Sequence, residues 1–255
     1  MENHSNKEIL KGMKVEILTK ARKNVTGIVE DIGSLNTSHS EVMVRLKTGE
    51  IGRVKSIVHE SGKTKTESES LIEKGENFKL EFKSDALWSL NHKNQDIDKT
   101  NSYDLRTYRQ KASKVIIARS IAALLNSEGG NLLIGVKEKK DGKNEFEITG
   151  IQPDLEKLKT LEKDFSNDGY KRMIIDDIIR PFFPQKIYNM LNNYISINFE
   201  QVNDKTICNI KVKPSNSKVF LNLEGRKIFL IRTETETRQI VDEELVDYCM
   251  KRFLS

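Results

Sequence analysis

The triplet Glu81-Phe82-Lys83 lies in the alternating run KLEFK. Strand side chains change face with a period of two, so Glu81 and Lys83 share one face with Lys79, and Phe78, Leu80 and Phe82 share the other. A carboxylate beside a lysine suits phosphodiester chemistry. Carboxylates hold hard ions such as Mg2+ or Mn2+, which take oxygen ligands. Such an ion activates water or an RNA 2′-hydroxyl and neutralises the phosphoryl oxygens, while a lysine stabilises the negative transition state. The triplet also fits half of the D…ExK pattern of DNA nucleases. The plain alternative is a solvated strand face with a surface ion pair.

A second group of residues suits binding. Lys99, Arg106, Arg109, Lys111, Lys114 and Arg119 crowd into residues 99–119, where only Asp104 opposes them and Tyr103 and Tyr108 are interleaved. Lysine and arginine contact phosphates, and tyrosine stacks on bases. A solvated helix start is the alternative. Lys20, Arg22 and Lys23 form another short basic segment.

Composition narrows the chemistry. The 255 residues carry 43 Lys+Arg against 38 Asp+Glu, a net charge of +5. That mild excess fits a nucleic-acid partner without requiring one. Two cysteines and four histidines leave little for a zinc site, a disulfide framework or a Cys/His nucleophile. There is no GxxxxGK[ST] phosphate cradle, so no ATP is expected. No apolar run approaches the roughly 18 residues of a membrane span, and MENHSNKEILKG lacks the apolar core of a signal peptide. The expectation is a cytoplasmic protein without a membrane partner, whose chemistry runs on carboxylates, lysine and arginine.

The elements that must position these residues fall into two parts. Within residues 12–58, GMKVEIL, TGIVEDI, EVMVRLK and IGRVKSI are short alternating runs bounded by Gly, Asn or Ser. Four strands without an intervening helix predict a small SH3-like or OB-like barrel. HESGKTKTESES is polar and predicts a linker. The expected division is residues 1–60 as barrel, 61–70 as linker and 71–255 as a second domain.

In that second domain, Ser113 is the expected cap of an apolar helix, KVIIARSIAALLN, stopped by Gly129-Gly130. NLLIGVK predicts a central strand. Residues 154–166 and 170–180 predict helices, and a hairpin is expected around Asn203-Asp204. Residues 219–221 and 227–232 predict strands. Residues 242–253 predict a closing helix with Leu245, Tyr248, Cys249 and Phe253 on one side. The fold class is α+β, with helices on one face of a mixed sheet.

Two resemblances sharpen this reading. KGMKVEILTKARKNVTGIVEDI followed by VMVRLKTGEIGRVKSIV resembles the YwbE-like family of small bacterial proteins, which implies a KOW-like or SH3-like barrel and no established activity. GENFKLEFK, ARSIAALLNSEGGNLLIGV, ITGI and KIFLIRTETETRQI, in that order over residues 70–253, resemble the Schlafen AlbA-like domain. The family includes endoribonucleases that cut transfer and ribosomal RNA with three acidic residues. The resemblance implies Glu76, Glu81 and Glu138 as catalytic metal ligands for Mg2+ or Mn2+, with Lys83 beside them. Glu138 departs from the Asp often found there and is one methylene longer. The resemblance also places Arg232 and Arg238 near a late landmark, so that they line a nucleic-acid groove with Arg106, Arg109, Lys111, Lys114 and Arg119.

The function so implied is a metal-dependent endoribonuclease acting on structured, tRNA-like RNA. A non-catalytic nucleic-acid-binding regulator and a DNA nuclease remain the alternatives. Schlafen nucleases join two related lobes into a clamp. This chain has one such lobe, so a two-fold homodimer is expected.

Overall fold

The computed structural model describes residues 9, 11–33, 42–58, 65–139, 146–234 and 236–254. The chain forms two compact units, Met1–Thr64 and Lys65–Ser255.

In the first unit, β1 (Lys14–Thr19), β2 (Asn24–Ile32), β3 (Met43–Leu46) and β4 (Ile51–Ile57) form a closed antiparallel barrel, with β4 returning to β1. Alternation sends Val15, Ile17, Val29, Val44 and Leu46 inward, where they form a buried core. The expected small barrel is present.

The second unit begins with α1 (Glu67–Lys74). Thr66 Oγ1 accepts the Glu69 N–H at 3.1 Å, and the Glu69 carboxylate accepts the Thr66 N–H at 2.8 Å. This reciprocal capping box satisfies two N–H groups that the first turn otherwise leaves open. Residues 66–70 are therefore a helix start and not linker; residues 61–64 lie outside the described residues. Then come β5 (Leu80–Lys83), a 3-10 turn over Trp88–Asn91, α2 (Asn94–Ile97), α3 (Tyr103–Tyr108) and a 3-10 turn over Arg109–Lys111. After them run α4 (Ala112–Asn126), β6 (Gly130–Ile134), β7 (Val136–Glu138) and β8 (Phe146–Ile148). The helical stretch holds α5 (Gln152–Thr160), α6 (Asn167–Ile174), a π-turn over Ile175–Ile179, α7 (Arg180–Phe182), α8 (Gln185–Asn189) and α9 (Leu191–Tyr194). The chain closes with β9 (Ile195–Val202), β10 (Lys205–Val212), β11 (Phe220–Leu223), β12 (Arg226–Arg232), β13 (Thr237–Gln239) and α10 (Asp242–Phe253).

The main sheet has the order β5-β6-β10-β9. As expected, β6 is internal; it runs parallel to β5 and antiparallel to β10. A second sheet has the order β11-β12-β13. α4 packs between the two sheets. Its Val115, Ile121, Ala122 and Leu125 share one core with Leu132, Ile134 and Ile210 of the main sheet and Leu221 and Leu230 of the second. Being buried nearly all round, α4 has no wide polar face, which explains its almost unbroken apolar sequence. The buried Asn126 side chain donates to the carbonyls of Val219 (2.8 Å) and Leu230 (3.0 Å) and accepts the Val219 N–H (2.9 Å).

Two expectations are corrected here. Helices do not occupy only one face of the main sheet. The other face carries Leu80, Phe82, Leu133 and Ile207 beneath Leu71 and Ile72 of α1 and Phe146 and Ile148 of β8. Ser113 does not cap α4 either: it is buried one residue inside the helix, with its hydroxyl 2.7 Å from that of Ser89.

The remaining elements follow the pattern. Gly130 must be glycine, because its φ is +145° and a Cβ would lie 2.1 Å from the Lys79 carbonyl oxygen. Asn203 and Asp204 both have positive φ and join β9 to β10, as a type I′ turn requires. α10 turns Leu245, Tyr248, Cys249 and Phe253 onto Phe229 and Ile231 of β12.

Candidate functional site

β5 is an edge strand of the main sheet. Its register with β6 sets Glu81 beside Leu132 and Lys83 beside Ile134, residues of the α4-side core. Leu80 and Phe82 join the core beneath α1. The alternation read from KLEFK is thus present, but its charged face is covered. Glu81 is only 8% exposed and Arg232 only 7%. The Glu81 carboxylate forms ion pairs with both Lys83 and Arg232. Arg232 also donates to the carbonyls of Asn77 (3.2 Å) and Leu80 (3.4 Å), and Lys83 to that of Phe82 (3.0 Å). A buried carboxylate needs such partners, because desolvation without them is very costly.

Phe78, read as part of the strand, precedes it and is exposed. The short loop between α1 and β5 folds back on itself through paired N–H···O bonds between Asn77 and Leu80. That turn brings Glu76 over the free edge of β5, where its carboxylate accepts the Phe82 N–H at 2.6 Å. Burial of the carboxyl raises its pKa above the ordinary glutamate value. The Glu81 charge adds to this, against the Phe82 N–H and the Lys83 and Arg232 cations.

Glu138 arrives from the far side of a kink. Gly135 has φ +101° and donates its N–H to the Lys83 carbonyl at 2.8 Å. A Cβ there would lie 2.8 Å from the Gly150 carbonyl carbon. The kink ends β6 and opens the β7–β8 hairpin, which pairs Glu138 with Phe146. Phe146 packs edge-on against Phe82, with ring centroids 4.7 Å apart. Residues 72–76, Glu138 and Phe146 line one groove of about 650 Å³. The structure thus brings Glu76 and Glu138 to a common groove and holds Glu81 in an ion-pair network with Lys83 and Arg232.

Among the described residues, no group of three or more His, Cys, Asp or Glu side chains is placed to hold a metal ion. Three carboxylates line the groove; Glu73 is paired with Lys65 at 2.6 Å, which leaves Glu76 and Glu138 as its hard oxygen donors. Mg2+ is commonly held by one or two carboxylates together with water and substrate phosphates, so this donor set fits it.

The expected binding cations divide. Arg109 pairs with Asp98 (3.0 Å), Lys114 with Asp177 (2.8 Å), Arg119 with Asp104 (3.3 Å) and Arg238 with Glu244 (3.1 Å). Arg232 is buried on Glu81. Arg106 and Lys111 are exposed and have no ion-pair partner among the described residues. Tyr103 is also exposed.

The sequence reading missed Asp154. Fully buried at the start of α5, it accepts the N–H groups of Ala86 (2.7 Å) and Leu87 (3.0 Å) and the hydroxyl of Tyr170 (2.7 Å). It therefore anchors the chain leaving β5. Burial pushes its pKa up, against the Tyr170 and Ala86 hydrogen bonds. Nothing in QPDLEKLKT marks this aspartate from sequence. The groove wall formed by α1 and Phe146 was also missed, because the first half of the helix, residues 67–70, read as linker.

Residues 76–241 match the family model described as Schlafen, AlbA_2. That is more than half of the chain, and the chain belongs to this family. Residues 2–57 match DUF2196, an uncharacterised conserved protein family. Among solved structures, the chain is similar to the DIP2311 protein of Corynebacterium diphtheriae, with 13% identity and a TM-score of 0.36 over 74% of this chain. It spans only 28% of that protein. It is also similar to the N-terminal domain of an ATP-dependent DNA helicase RecG-related protein from Nitrosomonas europaea, with 15% identity and a TM-score of 0.32. That match covers 68% of this chain and 94% of that domain. No curated protein matches the chain. The Schlafen, AlbA_2 family suggests a nucleic-acid-related function. No helix among the described residues is long and apolar enough to cross a membrane.

Proposed function

We propose that this chain is a metal-dependent endoribonuclease acting on structured RNA of the transfer- or ribosomal-RNA class. The observation that carries this reading is the groove that Glu76 and Glu138, distant in sequence, both line. Glu76 and Glu138 would hold Mg2+ or Mn2+, which when bound supplies an activated water or 2′-hydroxyl and neutralises phosphoryl charge. Glu81 stays in its ion-pair network with Lys83 and Arg232 and positions the β5 edge beside the groove. Arg106 and Lys111 contact the RNA backbone, and Tyr103 stacks on a base.

The test incubates the purified chain with transfer RNA, single-stranded DNA and duplex DNA, with Mn2+ or with chelator. Cleavage of transfer RNA only with Mn2+, lost in Glu76→Gln and Glu138→Gln but with binding retained, is the expected result. Binding without cleavage in every condition overturns it. That outcome supports the second reading, a non-catalytic regulator, which the neutralisation of Glu81 by two cations favours. Cleavage confined to DNA would assign a DNA nuclease.

The working form is a homodimer built on α10. Val246, Met250 and Leu254 form an exposed apolar row at four-residue spacing. The helix is acidic in its first turn and basic in its last, so antiparallel packing about a two-fold axis sets unlike charges opposite each other. Light scattering at a dimer mass, falling to the monomer's in Met250→Glu, is expected; a monomer with and without RNA excludes it.

A further inference from the structure

The barrel carries a charge distribution that the groove chemistry does not use. Its β1–β2 connection is a short turn holding Lys20, Ala21 and Arg22, followed by Lys23. Thr19 ties it down: its hydroxyl Oγ1 accepts the Lys23 N–H at 3.3 Å and donates to the Lys23 carbonyl at 3.1 Å. The Arg22 N–H reaches the Thr19 carbonyl at 2.9 Å. Arg22 has φ +57°, a left-handed conformation that glycine or asparagine adopts at least cost in such a turn. An arginine held there puts a cation at the tip at a small conformational penalty. That is an outlier from which a functional reason is fairly inferred.

The neighbouring strands extend the same charge. Across β1, Leu18 lies opposite Asn24 on one side and Arg53 of β4 on the other. Lys55 reaches the Asn24 side chain at 3.5 Å. Lys20, Arg22, Lys23, Arg53 and Lys55 therefore gather around one end of the β2-β1-β4 surface. The nearest acids are Glu50, which precedes β4 at this same end and whose carboxylate is engaged by Thr48, and Glu16, a step back along β1, which takes the Ser56 hydroxyl at 3.5 Å. On another part of the barrel, Lys11 pairs with Asp31 at 2.7 Å, and the charge of Arg45 also acts on Asp31. Lys20, Arg22 and Lys23 have no ion-pair partner among the described residues.

We infer that this end of the barrel is a binding surface for the phosphodiester backbone of single-stranded RNA. Several unopposed cations on a pinned turn release counterions when they meet a polyphosphate chain. Ile51 at the start of β4 is 47% exposed and gives such a strand an apolar contact beside the charges. A lipid surface fits less well, because interfacial docking needs a broad apolar face as well as cations. The inference concerns the barrel alone and does not depend on catalysis in the groove.

The experiment uses the full chain and a short labelled single-stranded RNA, titrated at several salt concentrations. In the triple variant Lys20→Ala, Arg22→Gly, Lys23→Ala, affinity at low salt should fall roughly tenfold. The salt slope should flatten by about two, near 0.7 for each lost single-strand contact. The charge-preserving variant Lys20→Arg, Lys23→Arg should bind like wild type, which separates lost charge from a damaged fold. Glu76→Gln should leave the effect of the triple variant intact, so failure of the groove reading and failure of this one are distinguishable. Unchanged affinity and slope in the triple variant overturn the inference. So does loss of binding in the charge-preserving variant. So does a triple-variant defect confined to anionic phosphatidylserine vesicles with RNA binding intact, which would assign the surface to membranes.

Discussion

The β1–β2 turn of the barrel and the helical segment of residues 99–119 hold the same kind of side chain in opposite conditions. At the turn, Lys20, Arg22 and Lys23 have no ion-pair partner among the described residues. In the helical segment, Arg109, Lys114 and Arg119 each meet an aspartate, two of them supplied from outside the segment by Asp98 and Asp177. Asp177 is partly buried, which raises its pKa, yet Lys114 and Lys163 hold it below the ordinary aspartate range. Those cations join α4 to the π-turn and α3 to α4. A phosphate would have to displace a carboxylate to reach them. A cation facing only water meets no such competition. Basic residues therefore divide into those that hold the fold and those that can bind, and local density does not separate the two.

Arg232 is the extreme of the first kind and gives the largest expected effect. Arg232→Met removes one of the two partners of the buried Glu81 and the bonds to the Asn77 and Leu80 carbonyls. Breaking a buried pair this way typically costs about 3–5 kcal/mol. Lys83 still faces Glu81, so the lower end, about 3 kcal/mol, is expected. Adding Glu81→Gln should recover part of the loss, because the uncompensated charge is gone. Arg22→Met at the barrel turn should stay within about 0.5 kcal/mol of wild type, as surface changes usually do. Urea unfolding followed by circular dichroism measures all three. An Arg232→Met midpoint equal to that of Arg22→Met would erase the distinction between the two kinds of cation.

A smaller effect tests the same division within the helical segment. Arg106→Ala with Lys111→Ala should lower the salt dependence of RNA binding by about 1.4–1.8, near 0.7–0.9 for each phosphate contact, with stability unchanged. Lys114→Ala should do the reverse. It should destabilise by about 1 kcal/mol, the upper range for ion pairs that are not fully buried, with little change in the slope. Equal slopes in the two variants would mean that paired cations bind as readily as unpaired ones.

These contrasts mark how far the sequence could be read. The barrel, the internal position of β6, the β9–β10 hairpin and the inward face of α10 follow from local alternation and turn residues. The double burial of β5 does not, because the cover over Glu81 comes from β12, far along the chain. α1 was hidden by its composition: TESES reads as solvated until the Thr66–Glu69 capping box and the packing of Leu71 and Ile72 are seen. The counterions Asp98 and Asp177 and the anchor Asp154 are ordinary helix or turn acids in sequence. What gives each its role is a partner brought close by tertiary structure.

The smallest expected effect concerns two carboxylates, and it carries the comparison from cations to acids. Glu81 is held by two cations, whereas Glu76 accepts one backbone N–H and borders the groove. Because the pKa of Glu76 is raised above the ordinary 4.5 by burial, the folded state binds its proton more tightly than the unfolded chain does. Its contribution to stability is then fully present below about 4.5 and is lost as pH rises through the raised folded value. Glu76→Gln keeps an acceptor for the Phe82 N–H and removes the titration. The variant should therefore gain on wild type in thermal midpoint as pH moves from below that window towards neutrality. Asp154 is raised in the same direction, but it titrates in both proteins and cancels in the difference. Mn2+ should narrow the gap at neutral pH, since an ion held by the Glu76 carboxylate stabilises the ionised form in wild type and has no such ligand in the variant. A difference that stays flat with pH would mean that Glu76 is not perturbed in the folded protein. A pH-dependent difference that ignores Mn2+ would keep the perturbed carboxylate but remove it from the metal ligands.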